Sequence, residues 1–386
     1  MASYHLSAQL VKRSEGRSVV AMAAYRSGER LKDERQGRIA DFSRRRGVLH
    51  AKILAPDGGA SWLLDREVLW NRVEAMEVRR DAQLAREINI ALPHELNDRQ
   101  RLALVRAFVL EQFVSLGMVA DIAIHVPVPE KGDDPRNHHA HVLLTLRQAG
   151  AAGLRPVKTR EWNSDAMMHR WRNAWAIHQN TTLERLGYRD RVDHRSFAVR
   201  RADANARGDK KEVMLLQREP EIHVGPKAKK AAGKRPPISM TRKVGPKRTR
   251  GRDLPERRVV QYPAFDRGSR AQWAMQRLAR NARSLAVMSG KAQKQAGRFR
   301  QRRSYYANAV HAASRGGGGE KGVSLAHALK RLEQISFWLA ELDQLFFALM
   351  RLRESQLTRR TVWANRLQGW RGQELTRARL RAWMPE

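Results

Sequence analysis

Residues 124–146 read IHVPVPEKGDDPRNHHAHVLLTL, and the reading of this stretch decides the fold. Two aliphatic runs, 120–128 and 138–147, flank PEKGDDPRN, a segment crowded with turn formers, so the pattern predicts a hairpin. Side chains alternate across a strand, which puts His139 and His141 on one face and His138 on the other. Ala140, Val142 and Leu144 suit the buried side, and Thr145 continues the histidine face. Folding the hairpin near Gly132 and Asp133 brings His125 opposite His141, so three imidazoles converge on one patch of sheet. Three nitrogen ligands make an open metal site with room for substrate. Asp121 shares the face of His125 and is expected to orient a ligand from behind.

Working outward, 3–11 alternates as a strand and 18–31 reads as a helix with Ser18 as its N-cap. A second helix is expected over 62–80, a short strand over 87–92 ended by Pro93, and helices over 97–116 and 162–186, the last stopped by Gly187. Strands followed by helices, with a late hairpin, predict an α+β domain on a largely antiparallel sheet over residues 1–200. Residues 201–262 carry RGDKK, GPKAKKAAGKRPP and TRKVGPKRTRGR, too polar to offset the entropy of ordering, and are expected to form a flexible basic linker. Residues 263–386 form an all-α region, interrupted by a glycine hinge at Gly316 to Gly319. Within it Leu325, Leu329, Leu332, Leu339, Leu342, Phe346, Leu349 and Leu352 recur at helical steps. That stripe suits packing on a helix near Trp273 to Leu285, a second protomer, or an accessory protein.

The chain has 386 residues with 75 Lys+Arg against 39 Asp+Glu, a net charge of +36. Such an excess opposes compaction unless a polyanion neutralises it, so nucleic acid is the expected partner. The absence of cysteine excludes disulfides, thiol nucleophiles and Cys-type zinc sites. No apolar run is long enough to span a membrane and the N-terminus lacks a signal-peptide core, which reads as a cytoplasmic protein without membrane insertion.

The segment SVVAMAAYRSGERL puts Tyr25 among Ala21, Ala23, Ala24, Ser27 and Gly28, small enough to let a bulky partner approach. Arg26 beside it could hold a phosphate bidentately. Beside a divalent ion a tyrosine hydroxyl can attack a phosphodiester, and covalent capture keeps the DNA end for later rejoining. Arg30, Arg35, Arg38, Arg44, Arg45 and Arg46, with Phe42 among them, are candidate contacts for DNA.

The ordered set of AAYRSG with Tyr25, REINIALPHEL and HHAH resembles the MobA/MobL (MobQ-type) relaxases of the HUH endonuclease superfamily. DHRSF and EPEIHVGP are similar to the end of that family's conserved region, so the resemblance covers roughly residues 3 to 230. It implies a five-stranded antiparallel sheet with flanking helices, in which the tyrosine precedes the histidines. It implies Tyr25 as the nucleophile forming a 5′-phosphotyrosyl bond, and His125, His139 and His141 as holders of Mg2+ or Mn2+. It also implies Glu87 as an acidic residue that orients a metal histidine or accepts a proton. The implied partners are single-stranded DNA at an origin of transfer, accessory mobilisation proteins and the coupling protein of a type IV secretion system. The basic tract RRTVWANRLQGWRGQ is a candidate transfer signal. Three other readings stay open: a rolling-circle replication initiator, a nuclease acting through metal-activated water, and a non-catalytic basic nucleic-acid-binding protein. Tyr305 and Tyr306, which follow the histidines, are the candidates under the first of these.

Overall fold

The computed structural model describes residues 4–128, 130, 134–222, 224–225, 241–244, 258–261, 269–314 and 324–383, with 241–244, 258–261, 269–270 and 366–383 described by backbone alone. The chain divides into two compact units, Met1–His194 and Arg195–Glu386.

The first unit is an α+β domain on a five-stranded sheet. Its strands are β1 (Leu6–Lys12), β4 (Val48–Leu54), β5 (Gln83–Ala91), β6 (Ala120–His125) and β7 (His139–Leu144), in the order β1-β5-β7-β6-β4. Every neighbouring pair is antiparallel. The intervening β2 (Arg30–Asp33) and β3 (Arg38–Asp41) form a separate ribbon, and β8 (Ala149–Gly150) pairs with β9 (Gly153–Leu154).

Alternation along the strands sorts the two faces. Ile88, Ile90, Ile122, Ile124, Ala140, Val142 and Leu144 point into a core shared with Phe108, Phe113, Trp171 and Trp175. These aromatics come from α3 (Asp98–Gln112), the short turn after it, and α4 (Asp165–Arg185). The opposite face carries Val11, Ile53, Ala85 and Leu143 against α1 (Val19–Ser27) and α2 (Arg66–Ala75). The sheet therefore carries apolar packing on both faces.

Most sequence-based elements recur with shifted ends. Ser18 caps α1 by accepting from the Ala21 amide, but the helix stops at Ser27, because Gly28 takes a left-handed conformation and the chain turns into β2. The helix expected over 62–80 is a short 3-10 turn followed by α2, capped by Asp65. Asn97 and Gln100 form a reciprocal capping box at the start of α3. The edge strand β4, in GVLHAKILAP, has no clean alternation and was not anticipated.

The second unit begins earlier than the sequence suggests. Residues 201–216 are not linker: α5 (Phe197–Ala206) and α6 (Lys210–Leu215) are helical, with Ala204 and Leu216 buried. Met214 and Leu215 pack against Leu285, Met288, Leu345 and Leu349, and Arg200 and Arg207 both pair with Glu212. The apolar cluster VMLL at 213–216 supplies the burial that composition averaged over a long window concealed. Residues 226–240 lie outside the described residues, and 241–244 pairs with 258–261 as a ribbon of β10 (Thr241–Val244) and β11 (Arg258–Gln261).

Two long helices follow, α7 (Ser269–Ser314) and α8 (Leu325–Trp383). Part of the expected stripe lies in their seam: Leu339 and Leu349, with Ile335 and Leu345 from outside the stripe, bury against Leu285, Met288, Ala292 and Ala296 of α7. Leu325 and Leu329, at the start of α8, remain exposed. The glycine hinge lies outside the described residues, and the tract from Arg359 lies within α8. Among the described residues no helix is long and apolar enough to cross a membrane.

Candidate metal and nucleophile site

The hairpin register differs by two residues from the expected one. His125 pairs with His139, while His141 sits opposite Ala123 on β6 and Asn89 on β5. The shift keeps all three imidazoles on one face, because an even step preserves the side a residue points to. Their ring centroids lie 4.8 to 5.2 Å apart, and one nitrogen from each lies within 4.8 Å of the others.

Each ring is anchored by its other nitrogen. His141 donates from Nδ1 to Glu87 Oε1 at 2.9 Å, and His139 donates from Nδ1 to the Asn137 carbonyl at 3.0 Å. Both rings thus present Nε2 to the open patch. His125 is reversed: its Nε2 donates to the Arg26 carbonyl at 2.7 Å, which leaves the lone pair on Nδ1. Burial is the main cause that lowers the His125 pKa, to about 3, with the positive neighbours His141, Arg45 and His139 adding to it. Burial also lowers His141, against the pull of Glu87. These two rings are therefore neutral at physiological pH, the form that ligates. Three imidazole nitrogens converging on one face fit a divalent ion.

Glu87 is fully buried beneath this cluster. Burial pushes its pKa up, but the His141 hydrogen bond and the charge of Arg26 outweigh that and bring it to about 2. Oε1 accepts from Arg26 Nε at 2.5 Å, and Oε2 accepts from Gln9 on β1. The sequence reading had Glu87 but missed Gln9, which the alternation of β1 puts directly across from it. Replacing Glu87 with Gln is expected to weaken Mn2+ binding by roughly 10- to 100-fold in calorimetry, because the histidine loses the charged group that orients it. An unchanged affinity would show that Glu87 serves only the fold.

Tyr25 lies near the end of α1 with its side chain half-exposed. It is tied to the histidines by two links. The next residue, Arg26, holds His125 through its carbonyl. Arg45 lies over the Tyr25 ring at 3.6 Å, donates to the Tyr25 carbonyl, and approaches His125 Nδ1 at 3.4 Å. Phe42 meets the Tyr25 ring edge-on with centroids 5.2 Å apart. Arg45 is thus part of the site wall rather than of a solvated loop, while Arg44 and Arg46 make no comparable contact with it.

Two expectations are corrected. Arg26 does not offer its guanidinium to a ligand, because it is committed to Glu87 and the Met22 carbonyl. Asp121 does not orient a histidine. It shares their face, yet four residues along a strand from His125 amount to roughly 13 Å. Its carboxylate instead takes a bidentate pair from Arg66 on α2, at 2.8 to 3.1 Å, and a bond from Trp70 Nε1 at 2.9 Å. Replacing Asp121 with Ala leaves the buried Arg66 with Glu29 alone and strands Trp70 Nε1, so a loss of about 1 to 3 kcal/mol is expected in urea unfolding. Mn2+ affinity is expected to stay unchanged in the same protein. Tyr305 and Tyr306 lie on α7 in the second unit.

The MobA/MobL family model matches residues 17–234. The chain is 34% identical over 312 residues to a mobilization protein MobL of Acidithiobacillus ferridurans, covering 74% of each. It is also 34% identical over 246 residues to a conjugal transfer protein TraA of Agrobacterium fabrum, covering 59% of this chain and only 22% of that longer one. A chain solved in work on the molecular basis of vancomycin resistance transfer in Staphylococcus aureus is 32% identical, with a TM-score of 0.45, covering 50% of this chain and all of its own. The match over more than half the chain and the similarity to a mobilization protein along most of its length show that this chain belongs to the MobA/MobL family.

Proposed function

We propose that the chain is a relaxase that nicks one DNA strand at an origin of transfer and later rejoins it. The observation that carries this reading is the coupling of Tyr25 to a three-histidine patch through Arg26 and Arg45. In the reaction the Tyr25 oxygen attacks the scissile phosphorus and forms a 5′-phosphotyrosyl bond. The bond to the 3′ oxygen breaks, the phenol gives up its proton, and the departing strand leaves as a 3′-hydroxyl. The second transesterification reverses these changes and reseals a strand without hydrolysis.

His125, His139 and His141 would hold the divalent ion, whose chemistry is to polarise the phosphodiester and offset charge in the in-line transition state. Glu87 keeps the His141 ring fixed with its Nε2 outward. Arg45 holds the Tyr25 ring from above, and its guanidinium is close enough to the open patch to meet a phosphate that enters it. Half-exposure of Tyr25 suits attack on a strand that approaches from solvent. The MobL and TraA relatives, named for mobilization and conjugal transfer, support the same biological setting.

The test is the full chain incubated with Mn2+ and a labelled single strand spanning the cognate origin, separated under denaturing conditions. A slow-migrating protein–DNA adduct that chelator abolishes is expected. Metal-dependent cleavage without an adduct would overturn the tyrosine chemistry and point to metal-activated water.

A further inference from the structure

Ten of the 46 residues of α7 are Lys or Arg and none is Asp or Glu. Several of these cations have work inside the fold. Arg277 and Arg280 pair with Glu219, and Arg300 pairs with Asp343. Lys291, Lys294, Arg298 and Arg302 do not: among the described residues none of the four makes an ion pair or a side-chain hydrogen bond. All four are exposed, and with Gln295 and Phe299 they line one shallow groove. Steps of three and four keep them on one side of the helix over about 16 Å, eleven rises of 1.5 Å.

The same side has an unusual backbone. Gly290 and Gly297, seven residues apart, lie opposite Ala292 and Ala296, which are buried towards α8. Glycine is among the least favourable residues in a helix interior. A Cβ built on either glycine would meet nothing within 4 Å, so packing within the chain gives no reason for its absence. One turn beyond Arg302, Tyr305 presents a ring that is 47% exposed.

We propose that this face of α7 is a single-stranded DNA track, separate from the nicking site of the first unit. Lys291, Lys294, Arg298 and Arg302 contact successive phosphates, and counterion release supplies the affinity. The bare backbone at Gly290 and Gly297 lets the strand lie close to the helix. Tyr305 stacks on an unpaired base, which selects single strands over duplex.

The test uses the full chain carrying Tyr25→Phe, so that its outcome does not depend on the tyrosine chemistry. Binding to a labelled oligothymidylate, which contains no origin sequence, is followed by anisotropy across a salt series. Replacing Lys291, Lys294, Arg298 and Arg302 together by Gln is expected to flatten the slope of log K against log salt by about 3, four contacts at roughly 0.7 each. Gly290→Ala with Gly297→Ala is expected to weaken binding several-fold while the thermal midpoint stays level or rises, a pairing that a purely structural role for the glycines does not produce. Tyr305→Ala is expected to lower affinity for the single strand and to leave duplex binding unchanged. An unaltered salt slope in the quadruple variant overturns the proposal. So does full affinity in the Gly→Ala variant, or a quadruple variant that keeps DNA binding but loses binding to phosphatidylserine vesicles, which would assign the face to lipid.

Discussion

Tyr25→Phe is expected to leave no covalent protein–DNA adduct on a denaturing gel, with strand cleavage reduced on the order of 10^4-fold or more, the scale of removing a covalent nucleophile. The change removes one oxygen and preserves the ring, so the edge-on contact with Phe42 and the Arg45 guanidinium above the ring survive. The phenol is also solvent-accessible, so no buried donor is left without a partner. Folding and DNA binding should therefore match the parent protein, which isolates the chemical step. Cleavage that persists in this variant would remove Tyr25 from the mechanism and leave the histidine patch acting through water.

His141→Ala is expected to have the second largest effect: loss of Mn2+ binding by at least about 100-fold in calorimetry, with adduct formation falling in parallel. Two changes coincide in that variant. One of three ligands disappears, and Glu87 loses one of the groups that hold its charge beneath the site. Arg26 and Gln9 still satisfy the carboxylate, so the fold should tolerate the substitution. Mn2+ is expected to bind more tightly than Mg2+, because three imidazoles are softer ligands than the oxygens Mg2+ prefers. A His141→Ala protein that forms adduct at the parental level in the presence of chelator would sink the metal assignment.

These two predictions rest on residues legible in the sequence. Strand alternation brought His139 and His141 together, and the flanking turn formers brought His125 to them. The resemblance to MobA/MobL relaxases added Tyr25 and Glu87. What could not be read was the far side of each interaction. Arg26 carries the same charge whether it awaits a phosphate or neutralises a buried carboxylate, and only the approach of β5 to α1 decides between them. Asp121 has the right face but the wrong height on the strand, a distance that periodicity alone does not weigh against a competing arginine. Arg45 looked like one of several equivalent cations until the loop after β3 folded it over Tyr25.

By itself the sequence determined the α+β class of the first unit, the histidine face of the hairpin and the helical character of the C-terminal region. Each of these is a periodic property carried by local sequence, period two in strands and 3.6 in helices, so it survives without knowledge of partners. Tertiary structure decided the register of the hairpin, the edge strand β4, the end of α1 at Gly28 and the commitment of Arg26, Asp121 and Arg45. The commitments of Arg26, Asp121 and Arg45 depend on pairings between residues 20 to 99 positions apart, and the energy of a buried charge is set by whichever opposite charge the fold brings to it.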